Sequence, residues 1–388
     1  MKASIFLDQI HRQGINTIAG VPDSTLKQLC DAICLNTKGQ FQHYVAANEG
    51  AAVGIAVGTY LATGKPACIY MQNSGQGNII NPLASIANEE VYGIPMLFLI
   101  GWRGEPGIKD EPQHVYQGKV TCKLLEDMGV PYAIIDKETT SEEIEKILQE
   151  AMRYFAKCKQ YAIIIKKGTF ETETVYHWEN GYTLVREQAL RIILEKLYEK
   201  AYFVSTTGKI SRELYEQSNV LYGRHDKLFM TVGGMGHASM IAFGIAQTCK
   251  TQEYASQVCA SQKKIVCVDG DGAVLMHMGA LAFIANNAPR NLLHIVINNA
   301  AHESVGAIPT GYSGHGYAQI AKACGYPSVF SVDTEEGLRE ALQKAESADE
   351  LSLIEVKVAL ASRKDLGRPK ETASENKEAF MKAYGSAL

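Results

Sequence analysis

Short, apolar, β-branched runs recur along this chain with helical stretches between them, and this alternation limits the fold more than any other feature. In the first half the runs are Thr17–Ala19, Gln42–Val45, Ala67–Met71, Pro95–Ile100, Tyr132–Ile135 and Tyr161–Ile165. Helical patterns fill 22–35, 48–63, 76–88, 113–128 and 141–157. Strands that are apolar throughout are buried on both faces, which points to a parallel sheet covered by helices on each side. The rhythm breaks over 168–185, where Gly168, a threonine–glutamate run and Glu179-Asn180-Gly181 read as a linker. A second series follows, with strands expected at Ala201–Ser205, Lys264–Val268, Leu292–Ile297, Ser328–Phe330 and Ser352–Val356. The reading is α/β: two doubly wound parallel-sheet domains, 1–168 and 186–388, joined by linker 169–185. Lys250 to Gln262 is polar and is expected to form a surface excursion.

Composition narrows the function classes. A chain of 388 residues with 46% hydrophobic and 21% charged residues has the makings of two or three well-buried cores. The net charge of −4 and the lack of a Lys/Arg cluster give no ground for a nucleic-acid partner. Met1–Asp8 lacks the apolar core of a signal peptide, and no apolar run nears the roughly 20 residues of a spanning helix. Nine cysteines occur without a Cys-x-x-Cys pair, and Cys30 and Cys34 read as small packed residues. A reducing, cytoplasmic setting is expected.

Two stretches carry chemistry. Glu49, in Ala46-Ala47-Asn48-Glu49-Gly50-Ala51-Ala52, is a carboxylate among small apolar residues just after a strand, and burying it is costly without a partner. It also suits the start of a helix, where the dipole favours negative charge. Gly270-Asp271-Gly272 follows another strand, at the strand end where ligand crevices open in parallel sheets. Asn298-Asn299 closes the next strand after 25 intervening residues. An Asp, an Asn amide oxygen and a backbone carbonyl are hard ligands suited to Mg²⁺, and glycines let the backbone approach a diphosphate. Gly233-Gly234-Met235-Gly236-His237 is a glycine-rich turn opening a helix at Ala238, a weak signal alone.

Glu49, the glycine-rich turn and the Gly-Asp-Gly…Asn-Asn spacing together resemble the thiamine diphosphate enzymes. The resemblance implies that Glu49 is catalytic, bonding the pyrimidine ring nitrogen and favouring the imino form of the neighbouring amine, with burial helping it hold a proton. It implies that the Gly233 carbonyl accepts from the aminopyrimidine, that Gly234 shares this turn, and that Met235 props the cofactor in its bent shape. Gly270, Asp271, Gly272 and Asn299 would line the diphosphate and its metal. Asp271, Asn299 and the Ala301 carbonyl would ligate Mg²⁺, although Asn298 could take the place of Asn299. The resemblance also implies a homo-oligomer in which half-sites of different subunits meet, and here the usual middle domain is absent.

Three further segments follow strands of the first sheet: Gly20-Val21-Pro22-Asp23-Ser24, Met71 to Asn78, and Gly101-Trp102-Arg103-Gly104-Glu105-Pro106-Gly107 with Asp110-Glu111-Pro112-Gln113-His114. With Glu49 they resemble the phosphonopyruvate decarboxylase family over nearly the whole chain, with sulfopyruvate decarboxylase as a cousin usually split into two subunits. This implies a carbon–carbon lyase that decarboxylates phosphonopyruvate. An arginine beside a loop of backbone N–H groups makes an anion site. Asp23, Ser24, Asn73, Ser74, Arg103 and His114 are therefore substrate candidates. Arg103 is equally suited to a structural ion pair with Glu105 or Asp110. His237 and His302 flank the cofactor motifs as further candidates. The alternatives are another small 2-oxo acid, chiefly sulfopyruvate, or a non-catalytic cofactor-sensing module.

Overall fold

The computed structural model describes residues 1–248, 263–312 and 316–385. The expected excursion from Lys250 to Gln262 lies outside the described residues. The chain divides into two compact units, one comprising Met1–Trp178 with His302–Gly311, the other Glu179–Ala301 with Tyr312–Leu388.

The first unit is built on a six-stranded parallel sheet: β1 (Thr17–Gly20), β2 (Gln42–Val45), β3 (Ala67–Gln72), β4 (Met96–Gly101), β5 (Tyr132–Ile135) and β6 (Tyr161–Ile165), in the order β2-β1-β3-β4-β6-β5. Strand order reverses between β1 and β3, so a crevice opens at their carboxyl ends. The central strands β3, β4 and β6 are almost wholly buried, as the unbroken apolar runs require. Helices α1 (Ala3–Arg12), α2 (Lys27–Leu35), α3 (Glu49–Thr63), α4 (Gln76–Pro82), α5 (Pro112–Asp127) and α6 (Ser141–Phe155) accompany it. One core gathers Phe6, Ile10, Leu29, Ile33, Leu148 and Phe155 on one side of the sheet, and another gathers Val53, Ala56, Ile69, Phe98 and Ile164.

Three elements depart from the expectation. The helix expected over 22–35 begins only at Lys27, because Asp23 accepts from the Thr25 N–H at 3.0 Å and turns the chain first. The helix expected over 76–88 ends at Pro82 and continues as one π turn, Leu83–Ala87, a widening suited to a proline that lacks an N–H. Helix α1 is additional; its Phe6, Leu7 and Ile10 recur at helical spacing and pack into the core.

The second unit holds β7 (Ala201–Ser205), β8 (Leu228–Met230), β9 (Lys264–Gly270) and β10 (Leu292–Asn298); the chain then forms a separate two-stranded pair, β11 (Ala301–His302) and β12 (Ile308–Pro309), most of which belongs to the first unit, and returns to the second unit for β13 (Ser328–Val332) and β14 (Ser352–Lys357). Its six-stranded sheet runs β13-β14-β10-β9-β7-β8, every pair parallel. Order reverses between β7 and β9, which puts Gly270-Asp271-Gly272 at the switch point. Helices α7 (Arg186–Leu197), α8 (Lys209–Tyr222), α9 (Ala238–Thr248), α10 (Asp271–Met276), α11 (Gly279–Asn287), α12 (Tyr317–Cys324), α13 (Glu335–Ser347) and α14 (Ala373–Tyr384) cover it. Edge strand β8 has three residues, too few to announce themselves by alternation.

The segment expected to be a plain linker is anchored at both ends. Phe170 enters the first unit's core, and the Glu173 carboxylate accepts from the Ser4 N–H and hydroxyl at 3.0 and 2.8 Å. On the other side the Asn180 amide donates to the Asn299 and Val358 carbonyls, each at 2.9 Å. No described helix is long and apolar enough to cross a membrane.

Candidate active site

Glu49 begins α3 because Asn48 caps it, its side chain accepting from the Ala51 N–H at 2.9 Å. The Glu49 side chain turns inward and is 4% exposed. Its Oε2 accepts from the Asn78 amide at 2.6 Å. Burial pushes the carboxyl above its usual range, and the Asn78 bond only partly offsets this. Gly75 makes room for it: a Cβ there would stand 2.4 Å from Oε1. Asn78 ends the Met71–Asn78 segment singled out in the sequence, but its pairing with Glu49 depends on how α4 packs beside α3.

The same strand ends carry the substrate candidates. Asp23, fully buried after β1, accepts from the Gln72 amide at 2.6 Å, and burial raises its pKa. Gln72 also accepts from the exposed Ser74 hydroxyl at 3.1 Å, so this residue, missed in the sequence, joins two candidates. Asn73 is buried, and its side chain is engaged. Its amide donates to the Arg103 carbonyl and to Thr121 Oγ1, each at 2.8 Å, and its oxygen accepts from the Arg103 N–H at 3.2 Å. The Arg103 guanidinium grips Asp110 through Nε and Nη2 at 2.8 and 2.7 Å, while Nη1 donates to Ser24 Oγ at 3.0 Å. The ion pair holds Asp110 well below the carboxylate range. Glu105 pairs instead with Lys166, at 2.7 Å. His114, in the first turn of α5, donates its backbone N–H to the Glu111 carbonyl at 2.9 Å. Its carbonyl lies so close to Gly104 that a Cβ there would stand 1.8 Å away.

In the second unit Asp271 opens α10 and is 5% exposed. Burial pushes its carboxyl up to about 7, against the pull of the Gly272, Ala300 and Ala301 N–H groups. Oδ2 is enclosed with no hydrogen-bond partner among the described residues. The Asp271 carbonyl accepts from the Tyr317 hydroxyl at 2.9 Å. Asn298 ends β10 with its amide donating to Glu355 at 2.7 Å and its oxygen accepting from the Ala300 N–H at 2.9 Å. Ala300 then takes a left-handed φ of 58°. Asn299 Oδ1 accepts from the Ala301 N–H at 3.1 Å.

The turn 233–236 has three left-handed glycines, with φ of 73° at Gly233, 55° at Gly234 and 90° at Gly236. Met235 between them is half-buried. A Cβ on Gly236 would meet the His277 ring at 2.4 Å, and the His237 and His277 rings lie 4.5 Å apart. Those histidines help line a hollow of about 410 Å³ with Met240 and Phe283. His277, five residues beyond the Gly270-Asp271-Gly272 motif, was missed in the sequence. His302 falls in the first unit, where burial lowers its imidazole to about 4.

A buried carboxyl given room by a glycine, an enclosed carboxylate oxygen lacking a partner and a left-handed glycine turn fit a bound diphosphate cofactor and a hard cation. The comparisons with known proteins agree on the cofactor. Residues 2–126 match the N-terminal TPP binding domain of thiamine pyrophosphate enzymes, and residues 215–356 match the C-terminal TPP binding domain. Phosphonopyruvate decarboxylase from Streptomyces viridochromogenes is 33% identical, the match covering 93% of this chain and 89% of that one. The chain belongs to the thiamine diphosphate-dependent decarboxylase family. Also similar are the phosphonopyruvate decarboxylase of Streptomyces hygroscopicus, 32% identical over 95% of this chain and 90% of that one, and the sulfopyruvate decarboxylase of Methanosarcina acetivorans, 28% identical over 90% and 89%. As a member of this decarboxylase family the chain is an enzyme, a carbon–carbon lyase with thiamine diphosphate as cofactor. Its two six-stranded parallel sheets are the N- and C-terminal domains of that family, with no middle domain between them.

Proposed function

We infer that this enzyme decarboxylates 3-phosphonopyruvate to phosphonoacetaldehyde and CO₂, with thiamine diphosphate and Mg²⁺, as a cytoplasmic step of phosphonate biosynthesis. The observation that carries the chemistry is the buried Glu49 with its raised pKa, since binding a diphosphate alone needs no such carboxyl. The substrate reading rests on the two Streptomyces relatives, which bear that name.

In this reading Glu49 holds a proton and bonds the pyrimidine ring nitrogen, kept neutral by burial and aimed by Asn78. The Gly233 carbonyl accepts from the aminopyrimidine, and Met235 supports the ring system beside Gly234. Asp271, Asn299 and the Ala301 carbonyl hold Mg²⁺, with Gly270 and Gly272 letting the backbone near the diphosphate. Asn298 is the alternative to Asn299, and the side-chain oxygen of each accepts one backbone N–H, from Ala300 and from Ala301 respectively. When bound, the cofactor supplies the electron sink for the electrons released as CO₂ leaves. Arg103, Ser24 and Ser74 offer donors to the substrate's anionic head, while Asp23, Asn73 and His114 fix the loops that carry them. The unit expected as 1–168 forms the pyrimidine half and that expected as 186–388 the diphosphate half, less residues 302–311, which pack in the first unit; the enzyme self-associates so that halves of different subunits complete a site.

The test is aldehyde and CO₂ release from phosphonopyruvate with cofactor and Mg²⁺ added or withheld, beside sulfopyruvate and pyruvate. Turnover of phosphonopyruvate that depends on both additions is expected. Faster turnover of sulfopyruvate would replace the substrate and keep the chemistry. Bound cofactor with no turnover of any 2-oxo acid would sink the decarboxylase reading.

A further inference from the structure

Cys267 and Asp269 alternate on β9, so they point to the same face of the second sheet, and His294 on β10 stands in register with Cys267. The three are at most 1% exposed, and Cys267 Sγ, an Asp269 oxygen and a His294 nitrogen all lie within 4.8 Å of one another. Their polar atoms lack ordinary partners. Asp269 Oδ1 accepts from the Gly270 N–H at 3.0 Å, but Oδ2 has no hydrogen bond among the described residues, nor has either ring nitrogen of His294. Asp269 Oδ2 and His294 Nε2 stand 3.6 Å apart, too far for a hydrogen bond. The Tyr326 hydroxyl, in the electrostatic neighbourhood of Cys267 and Asp269, is likewise enclosed without a partner.

A buried thiol grouped with enclosed polar atoms of Asp269 and His294 that have no partner among the described residues is an arrangement that proteins rarely tolerate unless something sits among them. We propose that Cys267, Asp269 and His294 bind a structural zinc ion, with a fourth coordination position left to a non-protein ligand. Zinc bonds of about 2.0–2.3 Å set tetrahedral ligands roughly 3.3–3.8 Å apart. The 3.6 Å between Asp269 and His294 already meets that spacing, and the thiol reaches it by a side-chain adjustment. Thiolate and imidazole select zinc over magnesium, so this site is distinct in kind from the all-oxygen set at Asp271. With no exposed surface at the cluster, the ion enters as the domain folds. It braces the two strands that lead into Gly270-Asp271-Gly272 and Asn298-Asn299.

The test uses the full chain. Zinc is counted after growth in zinc-supplemented medium and exhaustive dialysis with Mg²⁺ present, and the protein is separately refolded with Co²⁺. The expected results are about one zinc per chain and a thiolate-to-cobalt charge-transfer band, both lost in Cys267→Ser and both kept in Asp271→Ala. Should Cys267→Ser fail to fold, X-ray absorption at the zinc edge of the unaltered protein decides. One sulfur among nitrogen and oxygen neighbours supports the site; several sulfurs, or none, overturn it. Folded protein with background zinc and no cobalt band also overturns it, leaving a cluster bridged by buried water. None of these readouts depends on which 2-oxo acid is consumed.

Discussion

Glu49 and Asp271 share a physical predicament: each is a carboxyl enclosed in protein with its pKa pushed up by burial. For Glu49 this is the proposed source of function, and substitution by glutamine separates charge from shape. Glu49→Gln is expected to keep the fold while turnover drops by about 10²–10⁴, the usual worth of a positioned proton-transfer group; single-turnover kinetics with saturating cofactor would measure it. The same variant carries a stability signature in the cofactor-free chain. Below the ordinary glutamate range, about 4.3, both forms of the residue are neutral and the two proteins melt alike. As pH rises above that range, the unfolded wild-type chain releases its proton while the folded one retains it, so wild-type stability falls until the raised folded pKa is passed. The melting temperature of Glu49→Gln minus that of wild type therefore grows with pH and then levels off. A difference that shrinks with pH would mean Glu49 is not strained by burial.

At the scale of elements, the loops after β1, β3 and β4 are tied to one another rather than to solvent. Asn73 is the knot, with three hydrogen bonds to Arg103 and Thr121. Asn73→Ala strands a backbone N–H and a carbonyl of Arg103, costing about 2–3 kcal/mol, and is expected to lower the melting temperature by several degrees. An unchanged melting curve with a raised KM alone would instead make Asn73 a direct substrate ligand. Strand positions were legible because centrally buried strands are unbroken apolar runs, and their ends moved by only a residue or two. The Gly-Asp-Gly and Asn-Asn pairing was legible because its spacing is short and local. What could not be read were long-range partners: Asn78 reaching Glu49, Glu355 engaging Asn298, and Asp110 rather than Glu105 taking Arg103. Each is decided by which elements the packing brings side by side, which alternation along a strand does not encode.

For the whole molecule, thiamine diphosphate and Mg²⁺ together are expected to raise thermal stability where either alone does little, because in the proposed function the cation would link the diphosphate to Asp271 and Asn299. At roughly a hundredfold excess over Kd the gain is about 2.7 kcal/mol, several degrees by scanning calorimetry. Asp271→Ala removes the enclosed oxygen and is expected to abolish that gain while leaving the cofactor-free melting temperature near or above that of wild type, since a strained buried acid is gone. A cofactor-dependent shift that survives in Asp271→Ala would contradict the metal assignment.

Residues 302–311 belong by packing to the first unit, where Ile308 joins its core, although 123 residues of the second unit, Glu179 to Ala301, precede them in the chain. The two units are thus interleaved in the order of synthesis. A ribosome that has delivered Trp178 has not yet delivered every piece of the first core, and completion of that core waits until residue 311 has cleared the exit tunnel. Cutting the gene at the connector would leave an N-terminal product lacking Ile308, so in a split version the first core is completed only by residues 302–311 carried on the C-terminal product.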